Sequence, residues 1–308
     1  VRKAGQSAAV TPQTKFMIGS TTKSLTTLMM ARLVDAKKFD WATPVTTLMP
    51  TFALGDVATT KQVTMQHTVC ACTGMPRRDL EFIFEFDKVS AETRIASMQT
   101  MQPTTAFGET FQYSNLMVAA GGYVAAHTAF ANKPLDAAYD AAMNREVVGP
   151  LKMIDTTFDM KRGASGNFAM PHGQGLSETM AYEPIAVKTE GAVSAVRPAG
   201  GAWSTVRDLA RYVEMELAQG VVDGKTYVSK ENLLKRRTPQ IRITPVATYG
   251  LGLFVTNEKD LPMLGHGGNT IGFTSDLFMF PEQDIGVVVL SNAGQANDFR
   301  TALQRRFV

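Results

Sequence analysis

The last third of the chain fixes more of its architecture than any other part. The runs YGLGLFVTN, NTIGFTSDLFMFP and DIGVVVLSN are short, rich in β-branched and aromatic residues, and separated by turns. The gaps between them are too short for a crossover helix, so the spacing predicts an antiparallel meander. Ahead of them the chain reads as mostly helical. Residues 20 to 38 carry Leu25, Leu28, Met29, Leu33 and Val34 at helical spacing, with Ser20 or Thr21 placed to cap. Residues 88 to 101 and 135 to 147 also look helical, and an Ala-rich helix begins near Leu116 after the loop QPTTAFGETFQYSN. A helix from about Ala296 to Phe307 ends the chain. This is an α/β chain with sheet and helices segregated, of the α+β type.

Composition narrows the class of protein. At 308 residues the chain can bury a core as one large domain or two modest ones. With 44% hydrophobic and 19% charged residues it is globular rather than disordered. A net charge of +3 is too mild to imply nucleic acid. The basic groups in MKRG and LLKRRTPQ read as solvated surface. No apolar run reaches the ~18 to 20 residues that span a membrane. The chain begins at Val1 without a signal-like segment, as a mature or trimmed chain would. Its two cysteines, Cys70 and Cys72, point to opposite sides if the backbone is extended, so they read as buried thiols rather than a bridge.

Three short patterns carry candidate chemistry. The first is Ser20-x-x-Lys23 at a helix start. Residues i and i+3 share a helical face, so the Lys23 amine can reach Ser20 Oγ. A lysine in a desolvated site loses its proton more readily and can serve as base. Alone the pattern is weak, since chance supplies about one match per 300 residues, and a cap followed by a surface lysine is the better reading of this stretch by itself. The second is Tyr113-Ser114-Asn115, a phenol that a nearby cation makes easier to deprotonate, with an amide able to hold a lysine and a carbonyl. The third is His266-Gly267-Gly268, where glycines permit close backbone approach. His67, His127 and His172 are too dispersed for a metal site, so neither metal nor cofactor is expected. The segment IGSTT lacks the second glycine of a G-x-S-x-G elbow.

Taken in order, the three patterns resemble the serine β-lactamase and penicillin-binding-protein superfamily, most closely its class C-like branch of β-lactamases, D-amino-acid peptidases and β-lactamase-like esterases. TKFMIGSTTKSLT, VTMQHTVCACTGMPR, FGETFQYSN, VVGPLKMIDTTF, RPAGGAWSTVRDLARYV and GHGGNTIGF carry the likeness nearly end to end. The resemblance implies an antiparallel sheet flanked by helices, formed by residues 1–49 and 196–308, a mostly helical region at 50–195, and a site between them. It implies Ser20 as acyl-accepting nucleophile, Lys23 as its proton partner and Tyr113 as a sharer of general-base work. Asn115, His266, Gly268 and Asn269 would bind substrate, with the N–H groups of Ser20 and Asn269 as oxyanion hole. It further implies a small-molecule or peptide substrate and export to the periplasm or cell surface.

Two departures stand out. The family's first strand should precede Val1, and at the third pattern His266 and Gly267 replace the usual lysine and hydroxyl residue. A histidine near pKa 6.5 is mostly neutral at pH 7. Losing a charge-assisted contact costs about 1.5 to 3 kcal/mol. The expectation is therefore an esterase or D-amino-acid peptidase working through an acyl-enzyme. A β-lactamase, or a sensor that acylates without efficient turnover, are the alternatives.

Overall fold

The computed structural model describes residues 1–85, 89–175 and 181–308. Strand β1 (Phe16–Met17) pairs antiparallel with β2 (Trp203–Ser204), and a single 3-10 turn, Gly19–Thr21, then feeds helix α1 (Thr22–Asp35). Gly19 makes that turn at φ 49°, a left-handed conformation that glycine adopts without penalty. A Cβ there would stand 2.7 Å from the Asn269 carbonyl oxygen. The expected cap is absent. Thr21 stands at the N-cap without a capping bond and donates instead to the His266 carbonyl at 2.9 Å.

Helix α1 is buried on every side from Thr22 to Ala31, not along one stripe. Its polar residues therefore need internal partners. Ser24 Oγ donates to the Thr21 carbonyl at 2.8 Å, and Thr26 Oγ1 to the Pro198 carbonyl at 2.7 Å. Helix α2 (Asn115–His127), capped by the Ser114 side chain, crosses α1 closely. Gly122 permits this, since a Cβ there would lie 3.0 Å from Thr26 Cγ2. Helix α3 (Leu135–Met143) packs on α2. Residues 91 to 100 form the next predicted helix as Ala91–Ala96 and a 3-10 turn; residue 88, its expected start, lies outside the described residues.

After α4 (Val206–Leu217) and α5 (Lys230–Lys235) the chain builds the expected antiparallel meander. It runs through β3 (Ile241–Thr244), β4 (Ala247–Tyr249), β5 (Phe254–Glu258), β6 (Leu261–Gly265), β7 (Gly268–Asn269), β8 (Thr274–Phe280) and β9 (Ile285–Ser291). Strands β3 and β6 escaped the sequence reading; Pro262 masks β6. Strand β7 continues β6 along β8 in one register, Gly265 opposite Phe278 and Gly268 opposite Ser275. Helix α6 (Asn297–Gln304) closes the chain against β8. Among the described residues, no helix is long and apolar enough to cross a membrane.

Two further expectations fail for identifiable reasons. Cys70 and Cys72 are joined as a disulfide, with Cα atoms 5.2 Å apart. Ala71 between them has φ 53°, which turns the chain so both side chains face one way. Arg236, in the run LLKRRTPQ, is not solvated surface. It is fully buried, pairs with Glu216 of α4 at 2.6 Å, and donates to the Ser24 carbonyl of α1 at 2.7 Å.

Candidate active site

Lys23 sets the geometry of the site. It is 0% exposed, and its Nζ has three neighbours: Ser20 Oγ at 2.9 Å, Asn115 Oδ1 at 2.7 Å and the Ala199 carbonyl at 2.6 Å. Burial holds its pKa well below the ordinary lysine value; Asp79 pushes it back up and Arg77 pulls it down. Oδ1 of Asn115 and the Ala199 carbonyl can only accept, so they take two amine hydrogens. The remaining direction faces Ser20, and on a neutral amine that direction is the lone pair. The arrangement suits proton transfer from Ser20 to Lys23.

Tyr113 lines the same cavity as Ser20, packed against Tyr249 and His266 with ring centroids 6.2 and 6.1 Å away. The Lys23 amine lies 4.7 Å from its ring centre. Its phenol does not titrate more easily, as the sequence reading supposed. Burial raises its pKa, and the Ser20 hydroxyl only partly offsets that. At neutral pH Tyr113 is a proton donor.

His266 sits buried between β6 and β7. Its Nδ1 is 2.6 Å from the Gly267 carbonyl and its Nε2 2.9 Å from the Tyr249 hydroxyl. A carbonyl only accepts, so Nδ1 carries the proton and Tyr249 donates to Nε2. Burial first, then the nearby Lys23, lowers the His266 pKa to about 3, so the ring is neutral.

Gly268 does allow close approach: a Cβ there would stand 2.8 Å from Ser20 N. The backbones of Ser20 and Asn269 therefore lie side by side, as two oxyanion donors must. The Asn269 side chain is turned away, its Nδ2 donating to Asn297 Oδ1 of α6 at 2.9 Å and its Oδ1 accepting from Thr274 at 3.0 Å.

The cavity over Ser20 has a volume of about 470 Å³ and is walled by Phe111, Phe254 and Phe278. Three of its features were missed from sequence. Asp79 holds the Asn115 amide from behind, accepting from Nδ2 at 2.9 and 3.0 Å. Arg77 pairs with Asp79 and lies over the Tyr113 ring, 5.4 Å from its centre. Arg300 of α6 places its guanidinium where a side chain at position 267 would go, with a Cβ there 2.7 Å from Cζ. The PRRD run gave a weak signal for Arg77 and Asp79; nothing local marked Arg300. Among the described residues, no group of three or more His, Cys, Asp or Glu side chains is arranged to hold a metal ion.

Comparison with known proteins adds a family. The family model described as Beta-lactamase matches residues 1–307. An unguisins hydrolase of Aspergillus campestris is 27% identical over 304 residues, covering 94% of this chain and 54% of that protein. A beta-lactamase of Escherichia coli is 24% identical over 325 residues, covering 94% of this chain and 78% of that protein. The chain spans about half the length of the first curated relatives it matches. An octameric penicillin-binding protein homologue from Pyrococcus abyssi superposes with a TM-score of 0.74 at 25% identity, over 95% of this chain and 65% of that one. A D-stereospecific amidohydrolase from Streptomyces has the same fold, with a TM-score of 0.77 at 20% identity, over 94% and 86%.

Proposed function

The chain belongs to the beta-lactamase family, and from that premise we propose that it is a serine hydrolase that forms an acyl-enzyme on ester or amide substrates. The observation that carries the reading is the Lys23 amine, with two hydrogens committed to Asn115 and Ala199 and its third direction on Ser20. In the proposed sequence Lys23 takes the Ser20 proton as Oγ adds to the substrate carbonyl. The N–H groups of Ser20 and Asn269 receive the developing oxyanion. Tyr113, protonated, donates to the leaving group and is reprotonated by Lys23. The Lys23 amine, neutral again, takes a proton from the water that attacks the acyl-serine and returns it to Ser20 Oγ as the acid leaves.

The substrate carries a negative charge in this reading. His266 supplies no cation, but Arg300 stands over Gly267 in the same cavity and takes that place. This favours a peptide-like or other carboxylate-bearing amide. It also supports β-lactam hydrolysis as the second reading, against the sequence argument that the cation had been lost. The relative named as a hydrolase of unguisins supports a hydrolase.

The test is hydrolysis of p-nitrophenyl butyrate and of D-amino-acid anilides by the wild type and Ser20→Ala. Turnover that falls about a thousand-fold or more in the variant supports the reading. Equal rates in both remove Ser20 from the chemistry.

A further inference from the structure

We propose that Asp79 is a positioning residue which, acting through Asn115, determines that the Lys23 amine presents its lone pair to Ser20. The proposal rests on the acyl-enzyme reading above. A carboxylate only accepts hydrogen bonds. Both Asp79 oxygens face Asn115 Nδ2, so the group of Asn115 turned toward Asp79 is its NH2. Its Oδ1 is thereby turned to Lys23.

The opposite amide orientation has nearly the same shape and reverses the chemistry. An Asn115 NH2 facing Lys23 would donate into the amine lone pair. Lys23 would then aim an N–H at Ser20, and the serine proton would have no acceptor. Asp79 excludes that orientation, because its carboxylate would meet the Asn115 carbonyl oxygen. Arg77, paired with Asp79 and packed over Tyr113, keeps the carboxylate in place.

Asp79 also acts through its charge. It faces Lys23 together with Arg77, Tyr113 and His266; the last two are neutral at pH 7. Of the charged pair, Asp79 raises the lysine pKa and Arg77 lowers it. Ser20 reactivity rises with pH as Lys23 loses its proton. Removing Asp79 moves that limb to lower pH, and removing Arg77 moves it to higher pH. A residue that only supported the fold would move neither.

The experiment follows the rate of Ser20 labelling by a fluorophosphonate against pH, read by intact mass, in the wild type, Asp79→Ala, Asp79→Glu and Arg77→Gln. The Lys23 Nζ resonance is titrated in parallel in 15N-lysine-labelled protein. Asp79→Ala is expected to label about 10- to 100-fold more slowly at its optimum, a usual loss for a misplaced catalytic group. Its limb is expected at lower pH, with the Arg77→Gln limb at higher pH and part of the rate recovered in Asp79→Glu. An Asp79→Ala protein that keeps the wild-type rate and limb overturns the proposal. If the wild type itself is not labelled, the acyl-enzyme reading fails. The Lys23 resonance then decides alone: an unmoved titration in Asp79→Ala overturns the role of Asp79, and a shift to lower pH supports it.

Discussion

The guanidinium of Arg300 occupies the space into which a side chain on residue 267 would project. The absence of a side chain at Gly267 and the presence of Arg300 are two halves of one arrangement, linking the turn between β6 and β7 to α6. It moves the cation of the cavity from the sheet to the last helix.

Substrate charge should therefore be read by Arg300. Arg300→Gln is expected to lower kcat/KM for a carboxylate-bearing substrate about 10- to 100-fold, the size of one charge-assisted contact. The matched neutral ester should change little. Gly267→Thr, which forces the guanidinium aside, should lower the same ratio. Kinetics on the substrate pair check both; equal losses on the two substrates would remove Arg300 from recognition.

The rate profile should contain no histidine step. His266 is held near 3 by burial and by Lys23, and Tyr113 is pushed upward, so the ascending limb belongs to Lys23. His266→Gln retains an acceptor for Tyr249 and should leave the limb in place. Lys23→Arg, always protonated, should be slower by about a thousand-fold. A limb that shifts in His266→Gln would mean the ring titrates after all.

Behind helix α1 lies a charge pair that the fold cannot lose cheaply. Arg236 and Glu216 are both 0% exposed, and Tyr212 and Arg237 complete the cluster. Glu216→Gln leaves the Arg236 charge without its partner, an expected loss of about 3 to 5 kcal/mol in denaturant unfolding. Burial alone would raise the Glu216 pKa, but Arg236 and Arg237 outweigh it and hold it below the ordinary value. The pair's contribution is thus present above the usual carboxylate range and lost as pH falls through the lowered pKa. A variant as stable as the wild type would contradict this.

Glu190 should give the opposite pH dependence. Its Oε1 accepts from Gly272 N–H at 2.7 Å, in the turn that follows Asn269. Burial raises its pKa from 4.5 to about 7, against hydrogen bonds from Thr270 and the backbone. The folded state binds this proton more tightly, so the contribution is full below 4.5 and lost as pH rises through about 7. Glu190→Gln does not titrate. Its unfolding free energy relative to the wild type should climb across that window, by an amount on the order of a few kcal/mol. A flat difference would contradict the assignment.

What the sequence made legible was local. Ser20 and Lys23 are three residues apart in sequence, and the strands announce themselves by β-branched and aromatic residues between turns, so both could be read. Asp79 is 36 residues from Asn115, and Arg300 reaches Gly267 from another element; neither leaves a periodic trace. Arg236 looked like surface because its partner, Glu216, lies on a different helix. The Cys70–Cys72 bridge was hidden because Ala71 gives no sign that it adopts a left-handed turn. The ease with which Tyr113 loses its proton was misjudged, since burial outweighs a neighbouring cation and no sequence pattern measures burial.

The most direct test is to catch the acyl group. The protein is mixed with p-nitrophenyl butyrate, quenched in acid within its first turnovers, and digested for mass spectrometry. The account predicts a butyryl group on the peptide containing Ser20, and none in Ser20→Ala, which should not release nitrophenol above background. Nitrophenol release by Ser20→Ala at the wild-type rate, or an acyl group found on another residue, would contradict it.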